Sequence, residues 1–236
     1  MTQMEQDRPI DTASTIVVVD DHPLLRSALI QMLSTQADLE VVGEAADGQE
    51  AVELCRRLHP ALVLMDVWMP RMDGLEATRQ IKRELPRTIV LVLTASDFSH
   101  DLSEALKAGA AGYVLKGAPT TETLDAIRKV LAGDSPLDQD ISTRLLRQLI
   151  EEMPKEKREV PNDDPLRGAL TPREIEVLQL TARGYTNQQI ARALLISVST
   201  VKKHLRSVVS KLGVSDRTQA TVRALELGVL VKNGRE

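Results

Sequence analysis

The side chains able to do chemistry in this sequence stand at the ends of its apolar runs. TIVVV at residues 15–19 passes without a spacer into Asp20 and Asp21, ALVLM at 61–65 into Asp66, TIVLVL at 88–93 into Thr94, and GYVL at 112–115 into Lys116. Taken singly, each has a plain explanation: a strand-end Asp caps a helix, a lone Lys is a solvated charge, and Thr is a β-branched strand residue. Together they place three carboxylates, a hydroxyl and an amine at successive strand ends, which the plain explanations do not predict. Two like charges about 4 Å apart repel by about 1 kcal/mol in water and roughly 4 kcal/mol at an effective dielectric near 20. Three carboxylates in one shallow pocket therefore call for a cation. Oxygen-only ligands select a hard ion, and an incomplete protein shell with room for waters and a phosphate oxygen selects Mg²⁺ over Ca²⁺.

The elements that must position these groups follow from periodicity. A fifth strand-length run, LEVVGEA at 39–45, joins the four above. Helix-like stretches separate them: LLRSALIQML, GQEAVELCRRL, LEATRQIKREL and DLSEALKAG, with TTETLDAIRKVLAG after the last strand. Strands apolar on both faces and joined by helices form a doubly wound α/β fold, here a five-stranded parallel sheet. Sites in such folds lie at the carboxyl ends of the strands, near the topological switch point.

Composition narrows the function class. The chain has 236 residues, 42% of them hydrophobic, enough for compact cores. No apolar run approaches the ~20 residues of a membrane span, and the polar start MTQMEQDRPIDTAS is unlike a secretory signal, so a cytoplasmic protein is expected. Cys55, at helical spacing with Val52 and Leu58, reads as a buried core thiol, and four scattered histidines make a zinc site improbable. The net charge of -4 conceals a division. Residues 1–164 carry 18 Lys and Arg against 29 Asp and Glu, whereas residues 165–236 carry 12 against 5. An acidic first domain and a basic second one point to nucleic acid as the partner of the second. Between them, MPKEKREVPNDDP at 153–165 reads as an exposed linker, preceded by an amphipathic helix with Ile141, Leu145, Leu146, Leu149 and Ile150 on one face.

The last stretch is punctuated by helix caps. Thr171 is an N-cap followed by Pro172, with Glu174 completing a capping box and Gly184 as the stop; Thr186 and Gln189 repeat the device. VSTVKKHLRSVVSKLG ends at Gly213, and SDRTQATVRALELG makes a fourth helix. In the third helix Val198, Val201, Leu205, Val208 and Leu212 form a core stripe, opposite Ser199, Lys202, Lys203, Arg206 and Ser210. A short helix, a tight turn and a helix with a basic face make a helix-turn-helix whose second helix enters the major groove.

These residues carry two family resemblances. VVVDDHP, LVLMDVWMPRMDGLEA, VLVLTAS and AGAAGYVLKG resemble the flavodoxin-like receiver domain of two-component response regulators, over residues 14–135. LTPREIEVL, TNQQIARAL, STVKKHL and KLGVSDRTQA resemble the LuxR-type DNA-binding domain, an all-α four-helix unit assigned to residues 168–236, with the linker at 136–167. The first resemblance implies that Asp66 is the phosphoacceptor and that Asp20, Asp21, Asp66 and the backbone carbonyl of Trp68 bind Mg²⁺. It makes Thr94 the switch hydroxyl, Lys116 the phosphate-pairing amine and Tyr113 the switch aromatic, although a core strand tyrosine is the simpler account of the last. The second implies that Lys202, Lys203 and Arg206 face base edges while Thr200, Asn187 and Arg217 touch phosphates. Two positions depart from the pattern. Trp68 is bulky where a small or polar residue is frequent, and is either a shield for the acceptor or an exposed loop aromatic; Gly117 follows Lys116 where many receivers have proline.

The expected protein is a NarL/FixJ-type regulator, not an enzyme acting on other molecules. A sensor histidine kinase and double-stranded DNA are its partners, and it pairs as a homodimer when phosphorylated. Its acidic domain, tethered to the basic one, is expected to cover the recognition helix in cis. The alternative is a constitutive DNA binder whose receiver serves only as an unmodified dimerisation module. A haloacid-dehalogenase-like phosphatase is disfavoured because it needs Asp-x-Asp after strand one, and a nucleotide or flavin binder because acids stand where a glycine- or hydroxyl-rich loop belongs.

Overall fold

The computed structural model describes residues 13–95, 99–134 and 170–230, the side chains of 99–101 excepted. The expected helix over residues 141–150 lies outside them. Five strands, β1 (Ser14–Val19), β2 (Leu39–Ala45), β3 (Leu62–Asp66), β4 (Ile89–Thr94) and β5 (Gly112–Leu115), form one parallel sheet in the order β2-β1-β3-β4-β5. The helices between and after them are α1 (Pro23–Ser34), α2 (Gly48–Leu58), α3 (Gly74–Glu84), α4 (Ser99–Ala108) and α5 (Thr120–Leu131).

Alternation along each strand builds two cores on one sheet. Val17, Val19, Val63, Met65, Val90 and Val92 pack with Ala51, Val52 and Cys55 of α2 and with Ala77 and Ile81 of α3. Their neighbours Ile16, Val18, Leu62, Leu64, Leu91 and Leu93 face the other way, onto Leu33 of α1 and Leu124, Ile127 and Val130 of α5. Apolar residues are needed at every strand position because both faces are covered. The chain reverses its order of strand addition between β1 and β3, so the strands ending in Asp20 and Asp66 are direct neighbours.

The second unit consists of α6 (Pro172–Ala182), α7 (Asn187–Leu194), α8 (Val198–Leu212) and α9 (Arg217–Glu226). Both capping boxes form, Thr171 with Glu174 and Thr186 with Gln189. The buried stripe of α8 is Val201, Leu205, Val208 and Leu212. Val198 belongs to it by spacing but is exposed, as are Ser197 and Ser199, because the first turn of α8 stands clear of the bundle.

Glu174 does more than cap. Its buried carboxylate accepts from Lys211 Nζ at 2.9 and 2.7 Å, from Ser207 Oγ at 2.6 Å and from the Thr171 amide at 2.7 Å, tying α6 to α8. Burial raises its pKa, but the bonds from Lys211, Ser207 and Thr171 outweigh that and hold it down at about 2. A carboxyl depressed on folding contributes stability that is complete above its unfolded pKa near ~4.3 and disappears as pH falls through the folded one, here on the order of 3 kcal/mol. Glu174→Gln is therefore expected to lower the urea midpoint at pH 7, and its gap to the wild type should narrow as the pH is taken from 4.5 towards 2. Circular dichroism of both proteins across that range is the check; a gap independent of pH would contradict the linkage.

Candidate functional site

At the carboxyl edge of the sheet Asp20, Asp21 and Asp66 each place a carboxylate oxygen within 4.8 Å of the others. Asp20 and Asp66 are buried and Asp21 is exposed. Lys116 Nζ, arriving from the end of β5, lies 2.9 Å from Asp20 Oδ2 and 2.7 Å from Asp66 Oδ2. Asp20 Oδ1 accepts from the His22 amide at 2.8 Å, while its buried Oδ2 has the lysine charge beside it but no well-aligned hydrogen bond. Burial raises the Asp66 carboxyl above its ordinary value, opposed by the hydrogen bond and charge of Lys116. Burial alone would lower Lys116, yet its bond to Asp66 and the charges of Asp66 and Asp20 hold the ammonium above its ordinary value. Such a pocket, rich in hard oxygen donors and holding an acceptor without a well-aligned donor, fits a divalent cation.

Thr94 is buried at the end of β4, and its carbonyl accepts from the Lys116 amide at 2.6 Å. Trp68 is 68% exposed, which is the geometry of an exposed loop aromatic. Two supports were missed in the sequence. Arg26 donates to the Asp20 carbonyl at 2.7 Å and pairs with Glu44, and Arg71, with a positive φ of 67°, pairs with the buried N-cap Asp47. Arg26 stands one turn into the helix after the acidic pair, a spacing that could have suggested its role.

Gly74 packs against the end of β3: a Cβ built there would fall 1.8 Å from the Asp66 carbonyl oxygen.

The expected DNA-contacting residues divide into two groups. Lys203 and Arg206 of α8 are exposed, and Thr200 bonds locally with the Ser197 hydroxyl at 2.8 Å. Asn187, Lys202 and Arg217 instead come together. Asn187 and Arg217 are buried; Arg217 donates to the Tyr185 carbonyl at 2.8 Å and to Asn187 Oδ1 at 3.3 Å. The Asn187 amide in turn donates to Asp134 Oδ1, and Lys202 Nζ lies 3.4 Å from Asp134 Oδ2. An Arg217 exposed to a phosphate, the natural form of the expectation, is not how the side chain sits.

Asp134 follows α5, so these contacts join the two units. A second joint forms at α9, where Gln219 Nε2 donates to the carbonyls of Leu106 and Ala110 at 3.1 and 2.6 Å. Leu225 and Val222 pack with Leu102, Leu106 and Tyr113. Tyr113, expected as a core strand residue, is half-buried in this shared cluster.

Comparison with known proteins recognises both units. The receiver-domain model of response regulators covers residues 16–128, and the model of luxR-family bacterial regulatory proteins covers 168–224. The VraR response regulator of Staphylococcus aureus is 41% identical over 211 residues, spanning 89% of this chain and 96% of that protein. The chain belongs to the DNA-binding two-component response regulators of the LuxR family. Among solved structures of the family, a LuxR-family regulator from Aurantimonas sp. is 34% identical over 58% of this chain and 98% of its own, with a TM-score of 0.53. The RcsB response regulator of Salmonella typhimurium is 27% identical over 88% of this chain and 97% of its own, with a TM-score of 0.52. Within this response regulator no helix among the described residues is long and apolar enough to cross a membrane.

The close approach of Gly74 to the Asp66 backbone can be tested. Gly74→Ala must push backbone away from Asp66, and an overpacking loss of about 1 to 3 kcal/mol is expected. Urea denaturation of the variant measures it; a change under a few tenths would show that the loop yields freely.

Proposed function

We propose that this response regulator is a phosphorylation-controlled transcription regulator of the NarL/FixJ type, with Asp66 as the acceptor. The observation supporting the reading is the pair of buried carboxylates, Asp20 and Asp66, bridged by Lys116 at 2.9 and 2.7 Å. In transfer from a sensor histidine kinase, an Asp66 carboxylate oxygen attacks the phosphorus of a phosphohistidine, the P–N bond breaks and the imidazole leaves. Asp20, Asp21, Asp66 and the Trp68 carbonyl would hold Mg²⁺, which when bound offsets the charge of the carboxylates and of the phosphoryl oxygens. Lys116 then exchanges its contact with Asp66 for a phosphoryl oxygen. Thr94 turns its hydroxyl towards the same group and shifts the face around β4 and β5, where Tyr113 meets the DNA-binding domain.

In this reading the cytoplasmic protein turns over only its own aspartyl phosphate, and its domains run over residues 14–135 and 168–236. Phosphorylation frees the helical domain to dimerise and to bind double-stranded DNA through α8, with Lys203 and Arg206 towards base edges and Thr200 towards phosphate. The contacts between the two units support conditional rather than constitutive binding.

Acetyl phosphate with Mg²⁺, followed by intact mass, should add one phosphoryl group to the wild type and none to Asp66→Asn. Labelling of the variant would remove Asp66 as the acceptor. Asp21→Ala should weaken Mg²⁺ binding, read from the fluorescence of Trp68, the single tryptophan; an unchanged titration would deny Asp21 that role. Lys203→Ala should cost about 1 to 3 kcal/mol on specific DNA and less on random DNA. Equal losses on both would make Lys203 a source of charge alone.

A further inference from the structure

Asp134 has a placement that its own helix does not explain. Gly133, with φ of 78°, ends α5, and the amides of Gly133 and Asp134 bond back to the carbonyls of Val130 and Lys129 at 3.0 and 2.8 Å. This pair of hydrogen bonds closes the helix and holds Asp134 just beyond its last turn. A carboxylate there is on the wrong side of the helix dipole, whose C-terminal end favours cations. Its partners lie in the other domain.

Those partners form an anion site. Arg217 is buried, and its hydrogen bonds go to two neutral oxygens, Tyr185 O and Asn187 Oδ1. With Oδ1 engaged by the guanidinium, the Asn187 amide must present its donor face, which it turns to Asp134 Oδ1. Lys202 brings an ammonium to Oδ2 at 3.4 Å, and the charge of Asp134 also acts on Arg217, as does that of Asp216. An amide donor and an ammonium, backed by a guanidinium with neutral partners, suit one singly charged group with two oxygens. A carboxylate and a phosphodiester share that chemistry. Beside the cluster a cavity of about 180 Å³ separates Leu205, Arg206 and Val209 of α8 from Val130, Leu131 and Ala132 of the receiver. Among the described residues, Asp134 places a receiver carboxylate against Lys202 of the recognition helix there.

We propose that Asn187 and Lys202, backed by the buried Arg217, form one phosphate-binding site of the DNA-binding domain, and that Asp134 occupies it in place of a DNA phosphate. The inference rests on the reading that the helical domain binds DNA, and it revises Lys202 from a base contact to a phosphate contact. The carboxylate and the phosphodiester compete for the same donors, so DNA must displace Asp134. Gln219 and the Leu225 cluster hold the domains together by neutral contacts; Asp134 makes the closed form specifically exclusive of DNA.

The test uses the full chain and a random-sequence duplex at one moderate salt concentration, by fluorescence anisotropy, with and without beryllofluoride and Mg²⁺. Without beryllofluoride, Asp134→Asn should bind about 10- to 150-fold tighter than the wild type, the size of one charged hydrogen-bonded contact. Asp125→Asn makes the same change of net charge on an exposed position of α5 and should bind as the wild type does. With beryllofluoride the three proteins should converge, and Lys202→Ala should then lower the salt slope by about one unit. Equal affinities of Asp134→Asn and wild type, or an equal gain in Asp125→Asn, would overturn the competition. An unchanged slope in Lys202→Ala would overturn the phosphate assignment. Failure of every protein to bind duplex DNA in either state would remove the DNA-binding reading itself, and this inference with it; the first two results leave that reading intact.

Discussion

Two buried carboxylates side by side are an unfavourable arrangement, and the contact that makes it tolerable is Lys116 between Asp20 and Asp66. The rest of the receiver is arranged around that contact. Adjacent β1 and β3 carry the two acids, β5 delivers the amine to the same edge, and Gly74 lets the chain after β3 pass within a Cβ radius of the Asp66 carbonyl. The two cores hold those strand ends in place, since each strand is packed by alternating side chains on both faces. A pocket built this way has a charge balance that any added anion or cation must upset. Under the proposed role of Asp66 as phosphoacceptor, that sensitivity is what lets its modification change what Lys116 contacts.

The same electrostatic logic recurs at the far end of α5 with the signs exchanged. There the surplus is positive, contributed by Lys202 and the buried Arg217, and the compensating carboxylates are Asp134 across the domain contact and Asp216 beside Arg217. Between the two ends runs the shared apolar cluster of Leu102, Leu106, Tyr113, Val222 and Leu225. Tyr113 belongs to the strand that delivers Lys116, so the phosphoacceptor pocket and the domain contact share an element only a few residues long. Neutral contacts such as those of Gln219 with Leu106 and Ala110 set where the helical domain sits. Charged ones, on the proposed competition at Asp134, set what it excludes.

Local chemistry was legible in the linear sequence. Strand runs ending in Asp, Thr and Lys, capping boxes at Thr171 and Thr186, the buried Cys55 and the split in charge all depend on neighbours within a few residues or on composition. Their outcome follows from backbone periodicity and from hydrogen bonds spanning three positions. The adjacency of β1 and β3, which brings the acids of runs one and three together, came from the fold.

The tertiary structure decided the contacts between residues far apart in the chain. Val198 continues an apolar stripe by spacing, yet the bundle ends before reaching it, and a helical period carries no information about where a neighbouring helix stops. Arg217 reads as a surface cation, but Tyr185 and Asn187, 32 and 30 residues away, accept its hydrogen bonds and cover it. Asp134 reads as a polar residue after a helix stop; its partners Asn187 and Lys202 lie 53 and 68 residues on, beyond a linker whose sequence says nothing of where its far end returns. Residue type and spacing determined which groups this protein carries and the local elements that present them. Which charges neutralise one another across domains was determined by packing, because that pairing depends on distance in space and on desolvation, neither of which is written in the order of residues.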